Sequence, residues 1–409
     1  MIDLVEVKLW DATVGALSWD SQRGVALFDY SEDFIGSGIN PSPLNDIYGL
    51  FEGIKGETFK GLPSFIAESL PDKFGNAIID SYFANKGVTE MSILDRLCYV
   101  GERGMGAFTF HPITVKSIEA PIELNTLVTQ ARLALSGNLD TAPQDAINEI
   151  LSVGISAGGA RAKAVIAFNK TTGEIKSGIR SYSGFTDYII KFDGVSESQL
   201  GKSQPYGRIE YAYYLMARSS GINMMRSQLF KEDDRAHFLT ERFDRVNGEK
   251  LHMLSLCGVA GLDFQMQGAH SYEQYFSVVK RLTNDSQAIE QAIKRSFFNI
   301  LANNPDDHTK NVGFLMSKQG EWSLAPAYDM TYSFNNKIAW THDHQMSLNG
   351  KTRDFTKDDL LTSAMTQISK EKAAKLLTDV RDAISKWSEF AEVAGLDHRS
   401  SELIGANHE

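Results

Sequence analysis

Cysteine, proline and long apolar runs are all scarce in this chain of 409 residues. Its two cysteines, Cys98 and Cys257, lie in apolar surroundings ("RLCYVG", "LSLCGVA"). That is the setting of buried free thiols, not of a disulfide framework, and it suits a reducing cytoplasm. No apolar run approaches the roughly 18 residues of a membrane helix. The start "MIDLVEVKLW" has no basic segment followed by an apolar stretch, so neither a membrane span nor a signal peptide is expected. Positive charge is in deficit: 41 Lys and Arg against 52 Asp and Glu leave a net charge of −11. This balance argues against a broad phosphate-tracking surface. A local basic patch stays open, and contact with DNA is expected only beside a basic partner. What the chain does have is the composition of a globular protein, 42% hydrophobic and 23% charged. A norm of about 150 residues per domain predicts roughly two or three units.

Alternating apolar positions in "LVEVKLW", "VGALSWD" and "VALFDY", separated by turn residues, predict an antiparallel meander over residues 4–30. Helical stretches follow within 63–100. The glycine cluster "GERGMGAFTF" then leads into another strand, so residues 1–112 read as one α+β subdomain. Helical patterns at about 122–136 and 143–153 precede the strands "AVIAF" and "TDYIIKF". The segment "GRIEYAYYLMARSSG" has helical spacing and a terminal glycine. With the strands "RSQLF" and "AHFLTERF" it is expected to complete a sheet carrying one helix, within a second unit, 113–247. Beyond residue 247 helices dominate to 409, interrupted by the strand pair "VGFLMS" and "EWSLA".

The densest polar cluster is "NNPDDHTKN" at 303–311, directly after the apolar helix "IKRSFFNILA". Asp306 and Asn311 stand at the D-x-x-x-x-N spacing of a kinase catalytic loop. There the aspartate takes the proton of the substrate hydroxyl and the asparagine oxygen ligates magnesium. Past a predicted hairpin, "LAPAYDM" offers Asp329 as a second metal-binding acid. Two protein oxygens beside nucleotide phosphates suffice for Mg²⁺, which keeps several waters. The plainer alternative is an Asx-rich surface turn.

Upstream, "GISAGGARAKAVIAF" runs small residues into a strand. Glycines there let backbone N–H groups approach a phosphate, although such clusters also mark plain turns. "GERGMG" fits a looser glycine pattern. Lys191, at the end of "TDYIIKF", is either a solvated edge lysine or one held by a rigid strand against nucleotide phosphates. In the second case Glu210, on the following helix, is its expected partner. The backbone of Glu241, Arg242 and Phe243 in "TERFDR" can read an adenine edge. A rival constellation joins His308, Asp306, Asp307, His342 and His344 into a transition-metal site, because "THDHQ" puts both histidines on one face if extended.

Taken in order, "FIAESLPDKFGNAIID", "VGERGMGAFTF", "ISAGGARAK", "IIKF", "ERFDR", "DDHTKN" and "PAYD" resemble the HipA family of serine/threonine kinase toxins, over nearly the whole chain. The resemblance implies an α+β, protein-kinase-like two-lobed fold with an additional N-terminal α/β subdomain and a mostly helical C-terminal lobe. It implies ATP and Mg²⁺ as cofactors, Asp306 as proton acceptor, and Asn311 and Asp329 as metal ligands. Nucleotide contacts are implied for Gly158, Gly159, Ala160, Arg161, Ala162, Lys163, Lys191, Glu241, Arg242, Phe243, His308, Lys310, Asn311, Tyr328 and Asp329. Ser156 matches a serine that family members phosphorylate on themselves. The implied partners are a small DNA-binding antitoxin of the HipB type, DNA through that antitoxin, and a protein substrate such as an aminoacyl-tRNA synthetase. No H-R-D precedes Asp306, and Met330–Thr331 follow Asp329 where a conventional kinase has Phe–Gly. The other readings are a small-molecule kinase of the same fold and a catalytically idle subunit of a DNA-bound repressor complex.

Overall fold

The computed structural model describes residues 2–84, 86–88, 90–114, 122–135, 162–193, 205–232 and 234–408. The chain forms two compact units. The first comprises Met1–Gln204, Phe230–Met253 and Met316–Gly320, and the second Pro205–Leu229, Leu254–Leu315 and Glu321–Glu409.

The first unit opens with the expected meander, β1 (Leu4–Leu9), β2 (Ala12–Asp20) and β3 (Val25–Tyr30). With β4 (Leu50–Glu52) and a later strand it makes a five-stranded sheet. Two helices follow, α1 (Lys73–Ala84) and α2 (Ile93–Val100), then β5 (Phe108–His111), which returns antiparallel to β1. Alternation decides which face is buried: Val5, Val7, Leu9, Leu17 and Phe28 lie inside. Helix α3 (Leu124–Leu135) precedes a second sheet built from β6 (Lys163–Phe168), β7 (Ile175–Ser177) and β8 (Thr186–Lys191).

The second unit takes up the chain with α4 (Tyr206–Ser219). The chain returns to the first unit at Phe230, and strands β9 (Ser227–Glu232) and β10 (Arg235–Glu241) complete the second sheet in the order β7-β6-β8-β10-β9. Ala164, Ile166, Tyr188, Ile190 and Leu239 project from one face of this sheet. They form a continuous core with Phe74, Ile78 and Tyr82 of α1 and Leu127, Val128 and Ala131 of α3. Burial of both sides of this layer, at roughly 1.5–3 kcal/mol per large side chain, fixes the sheet as a rigid platform.

The second unit continues with α5 (Tyr272–Thr283) and α6 (Ser286–Leu301). Ser271 and Gln274 form a capping box at the start of α5, and Asp285 caps α6 through the Gln287 N–H at 2.8 Å. Ile289, Ile293, Phe297 and Leu301 recur at helical spacing and are buried. After the polar loop come β11 (Gly313–Met316) and β12 (Trp322–Leu324), then α7 (Lys370–Ile384), α8 (Trp387–Ala394) and α9 (His398–Gly405).

Helix α4 packs against α7 and α8, with Tyr213 edge-on to Phe298 and Trp387. Helical periodicity identifies the apolar stripe but not the partner that covers it. Both cysteines are free and buried, as read from their neighbours. No described helix is long and apolar enough to cross a membrane.

Candidate active site

Helix α6 ends at Leu301, and the chain reverses at Asn303, whose φ of 54° is left-handed. Asn tolerates that conformation better than most residues. The polar loop then hangs from the end of a buried helix. Its two adjacent acids are in opposite states. Asp307 is fully buried and accepts from Tyr272 Oη at 2.6 Å, His344 Nδ1 at 2.7 Å, the Gln345 N–H at 2.8 Å and the Met346 N–H at 3.4 Å. Both of its oxygens are occupied.

Asp306 is half-buried and accepts on Oδ1 alone, from Trp340 Nε1–H at 2.7 Å, with His308 Nε2 3.7 Å away. Its Oδ2 has no hydrogen bond among the described residues. Burial pushes the Asp306 carboxyl above its ordinary range, opposed by His308 and Trp340 and assisted by the charges of Asp329 and Asp307. The backbone of Asp306 is held at both ends, its N–H by Ser333 Oγ at 3.1 Å and its carbonyl by Asn311 Nδ2 at 2.8 Å.

That last bond orients the Asn311 amide: the nitrogen is committed to Asp306, so Oδ1 is the acceptor end. Asn311 and Asp329 line one pocket, together with Tyr272, Asn299 and Asn304. Asp329 has a φ of 53°, a left-handed conformation for a non-glycine residue. The segment before it is pinned by Arg295, which donates to the Ala325 carbonyl at 2.8 Å, and by Tyr328 Oη, which donates to the Lys310 carbonyl at 2.7 Å. One amide oxygen and one carboxylate facing a common pocket are hard donors of the kind Mg²⁺ prefers, so the residues present fit that ion. Lys310 places its ammonium 4.8 Å from the Phe264 ring centroid, and His308 packs edge-on to the same ring.

The rival transition-metal arrangement does not assemble. His344 is spent on Asp307, whereas His342 is exposed and pairs with Asp343 at 2.6 Å. Among the described residues, no three histidine, cysteine or carboxylate side chains converge as a metal cluster.

In the first unit Lys191 lies on β8, the central strand of the second sheet, not at an edge. Its cross-strand partners are Lys163 on β6 and Phe238 on β10, so these three side chains share the face opposite the α1–α3 core. Lys163 is buried, and its Nζ is 3.5 Å from Asp72 Oδ2, while Asp72 Oδ1 caps α1 through the Gly75 N–H at 2.7 Å. Two like charges directly opposite are unfavourable, and Asp72 compensates one of them. Ala162 is buried, its carbonyl taken by the Phe192 N–H. Ser156, Gly158, Gly159, Ala160 and Arg161 lie outside the described residues. Glu210 is buried on α4.

The "TERFDR" stretch is tied down more firmly than an adenine-reading strand end requires. Arg242 donates twice to Asp244, at 2.9 and 2.8 Å, and its backbone N–H goes to the Asp187 carbonyl at 2.9 Å. Glu241 accepts from Tyr188 Oη at 3.3 Å, and Phe243 is half-buried. Asp244 also holds Arg245 and the Gly106 N–H. Gly106 has a φ of 74°, and a Cβ there would stand 2.7 Å from the Met253 nitrogen. The "GERGMG" cluster is therefore a clasp on Asp244.

Sequence reading missed Tyr272, Ser333, Trp340 and Gln345. None carries a local motif; only the crowding of polar residues in "AWTHDHQ" hinted that this segment serves the acid loop.

A five-stranded antiparallel sheet with a central lysine, and a helical unit whose acid loop and hairpin bring Asp306, Asn311 and Asp329 together, make this an α+β fold of the protein-kinase-like class. Residues 155–387 match the HipA-like C-terminal domain and residues 5–111 the HipA N-terminal domain. The chain belongs to the HipA family of serine/threonine kinase toxins. It is similar to the serine/threonine-protein kinase toxin HipA of Shewanella oneidensis, 21% identical over 376 residues, covering 84% of this chain and 80% of the relative. The structure of HipA from S. oneidensis MR-1, solved in a toxin–antitoxin complex with HipB and operator DNA, matches with a TM-score of 0.69 at 17% identity. That match covers 98% of this chain and 94% of the other.

Proposed function

We propose that the chain is an ATP- and Mg²⁺-dependent serine/threonine protein kinase and the toxin of a toxin–antitoxin pair. The observation that carries the catalytic reading is the contrast between Asp306 and Asp307. A general base needs an oxygen within reach of the substrate proton and a pKa nearer the working pH than a solvated carboxylate has. Asp306 meets both conditions: Trp340 holds Oδ1, Oδ2 carries no bond, and burial raises its pKa. Asp307 offers no such oxygen, because both of its oxygens accept hydrogen bonds within the fold.

Asp306 Oδ2 accepts the proton of the substrate hydroxyl as the hydroxyl oxygen bonds to the γ-phosphorus of ATP, and the bond from that phosphorus to the β-phosphate oxygen breaks to release ADP. Asn311 and Asp329 hold Mg²⁺ by their oxygens, and the ion, when bound, neutralises charge on the phosphates. Lys310 and His308 supply further positive and donor groups, and Tyr328 fixes the loop through the Lys310 carbonyl. Lys191, residues 158–163 and the backbone of Glu241 to Phe243 engage the nucleotide. Ser156 receives a phosphate from the enzyme itself. The division 1–112, 113–247 and 248–409 separates an N-terminal subdomain, a nucleotide-binding part and a catalytic part. By the family resemblance, the target is a translation component such as an aminoacyl-tRNA synthetase in the cytoplasm. A small HipB-like DNA-binding antitoxin neutralises the toxin and connects it to DNA.

The test is phosphate transfer from labelled ATP together with nucleotide affinity. Asp306→Asn is expected to lower transfer by about 10²–10⁴-fold with ATP still bound, and Asp329→Asn to weaken Mg²⁺-ATP binding as well. Asp307→Asn is expected to cost about 2–3 kcal/mol of stability through its lost charge-assisted bonds. Full turnover in a folded Asp306→Asn protein, with a folded but inactive Asp307→Asn, would overturn the assignment.

A further inference from the structure

The acid loop begins where α6 ends, and a distant segment holds that junction. Ala302 closes α6, its N–H on the Phe298 carbonyl at 2.8 Å, so its own carbonyl lies beyond the helical ladder. Tyr213 Oη of α4 donates to that carbonyl. The same hydroxyl is 3.0 Å from His408 Nε2. A tyrosine has one proton, and a carbonyl can only accept, so the Tyr213 proton is spent on Ala302. His408 must then donate from Nε2–H. Burial pushes His408 down to about 4, which keeps its ring neutral at physiological pH. The ring is seated edge-on against Trp387 and Tyr213, with centroids 5.2 and 6.0 Å away.

One residue further along, the left-handed Asn303 donates from Nδ2 to the Asn407 carbonyl at 3.0 Å. Beyond it, Asn304 accepts from Ser333 Oγ at 2.9 Å, and that same oxygen receives the Asp306 N–H at 3.1 Å. Both the last carbonyl of α6 and the reversal that aims the acid loop are thus fastened to residues 407 and 408, about a hundred positions away in the chain.

We propose that residues Asn407 and His408 form a strap that sets the position of the acid loop, making His408, Tyr213 and Asn303 positioning residues for the phosphoryl transfer carried by Asp306. None of the three touches a reacting atom. The proposal rests on the kinase reading for its catalytic consequence, but its structural half stands separately.

Two full-length variants cut the strap without removing bulk: His408→Phe keeps the ring and loses the Nε2–H, and Asn303→Gly keeps the left-handed turn and loses the Nδ2 donor. His408→Gln restores a donor at the Nε2 position. Expected is a roughly 10-fold loss in kcat for phosphate transfer from labelled ATP in the first two, with KM for ATP within twofold of wild type. His408→Gln should recover most of it. In hydrogen exchange read by mass spectrometry, peptides spanning 302–312 should exchange at least about threefold faster in the first two variants and not in His408→Gln. Unchanged exchange at 302–312, or turnover within twofold of wild type, in His408→Phe and Asn303→Gly overturns the strap. A wild-type protein that transfers no phosphate overturns the kinase reading instead, and the exchange measurement alone then decides the strap.

Discussion

Two polar clusters, one in each unit, look alike as strings of letters: "ERFDR" in the first and "PDDHTKN" in the second. In the first, Asp244 is completely enclosed. Burial alone would raise its pKa, but Arg242 and Arg245, at 2.8 and 2.7 Å, override it and hold the carboxyl well below the usual range. The two guanidinium groups outweigh burial and favour the charged form, so the cluster is a rivet. In the second, Asp307 is enclosed in the same sense, yet its neighbour Asp306 keeps an oxygen without a bond and a raised pKa. A charge that is not compensated inside the fold is the one available for chemistry. The difference lies in which donors the tertiary structure brings, not in the acids themselves.

That comparison breaks first at Asp244. Replacing it by Asn leaves two buried guanidinium groups without their counter-ion, and the expected loss is about 3–5 kcal/mol in chemical denaturation. A loss under about 1 kcal/mol would mean the cluster is not a rivet.

The next effect concerns a second enclosed group of the first unit, His252. It is fully buried, edge-on to Phe108, and donates to the Pro41 carbonyl at 3.3 Å, and burial pushes its pKa down to about 4. The folded pKa lies below the unfolded value of about 6.5. Its stabilising contribution is therefore present above pH 6.5 and is lost as pH falls toward 4, amounting to about 3 kcal/mol. Unfolding free energies of wild type and His252→Phe between pH 7 and 4 should converge as pH falls; parallel curves would refute the assignment.

The smallest effect has the opposite sign. Because the fold disfavours the Asp306 carboxylate, Asp306→Asn should raise stability, by up to about 1 kcal/mol, while removing activity. A destabilised Asp306→Asn would erase the contrast with Asp244.

The spacing from Asp306 to Asn311, and the return to Asp329 after two strands, are local enough to be seen in one reading. So are the meander and the apolar stripe of α6, whose burial follows from periods of two and 3.6. The helices that pack on α4 are not: its apolar stripe alone names no partner, and the contacts of Tyr213 with Phe298 and Trp387 identify them. Lys163 is a similar case. Its place in a glycine-rich run gives no sign of Asp72, far away in the chain, with which its ammonium pairs.

By itself, the order of residues determined the family, many of the described elements and the short list of acids in the polar loop; the helix expected at 143–153 lies outside the described residues. Only the tertiary structure gave Asp306 and Asp307 different surroundings. The difference depends on Tyr272, Trp340 and His344, donors about 30 or more positions away whose hydrogen bonds act over three ångströms of space and leave no periodicity in the chain.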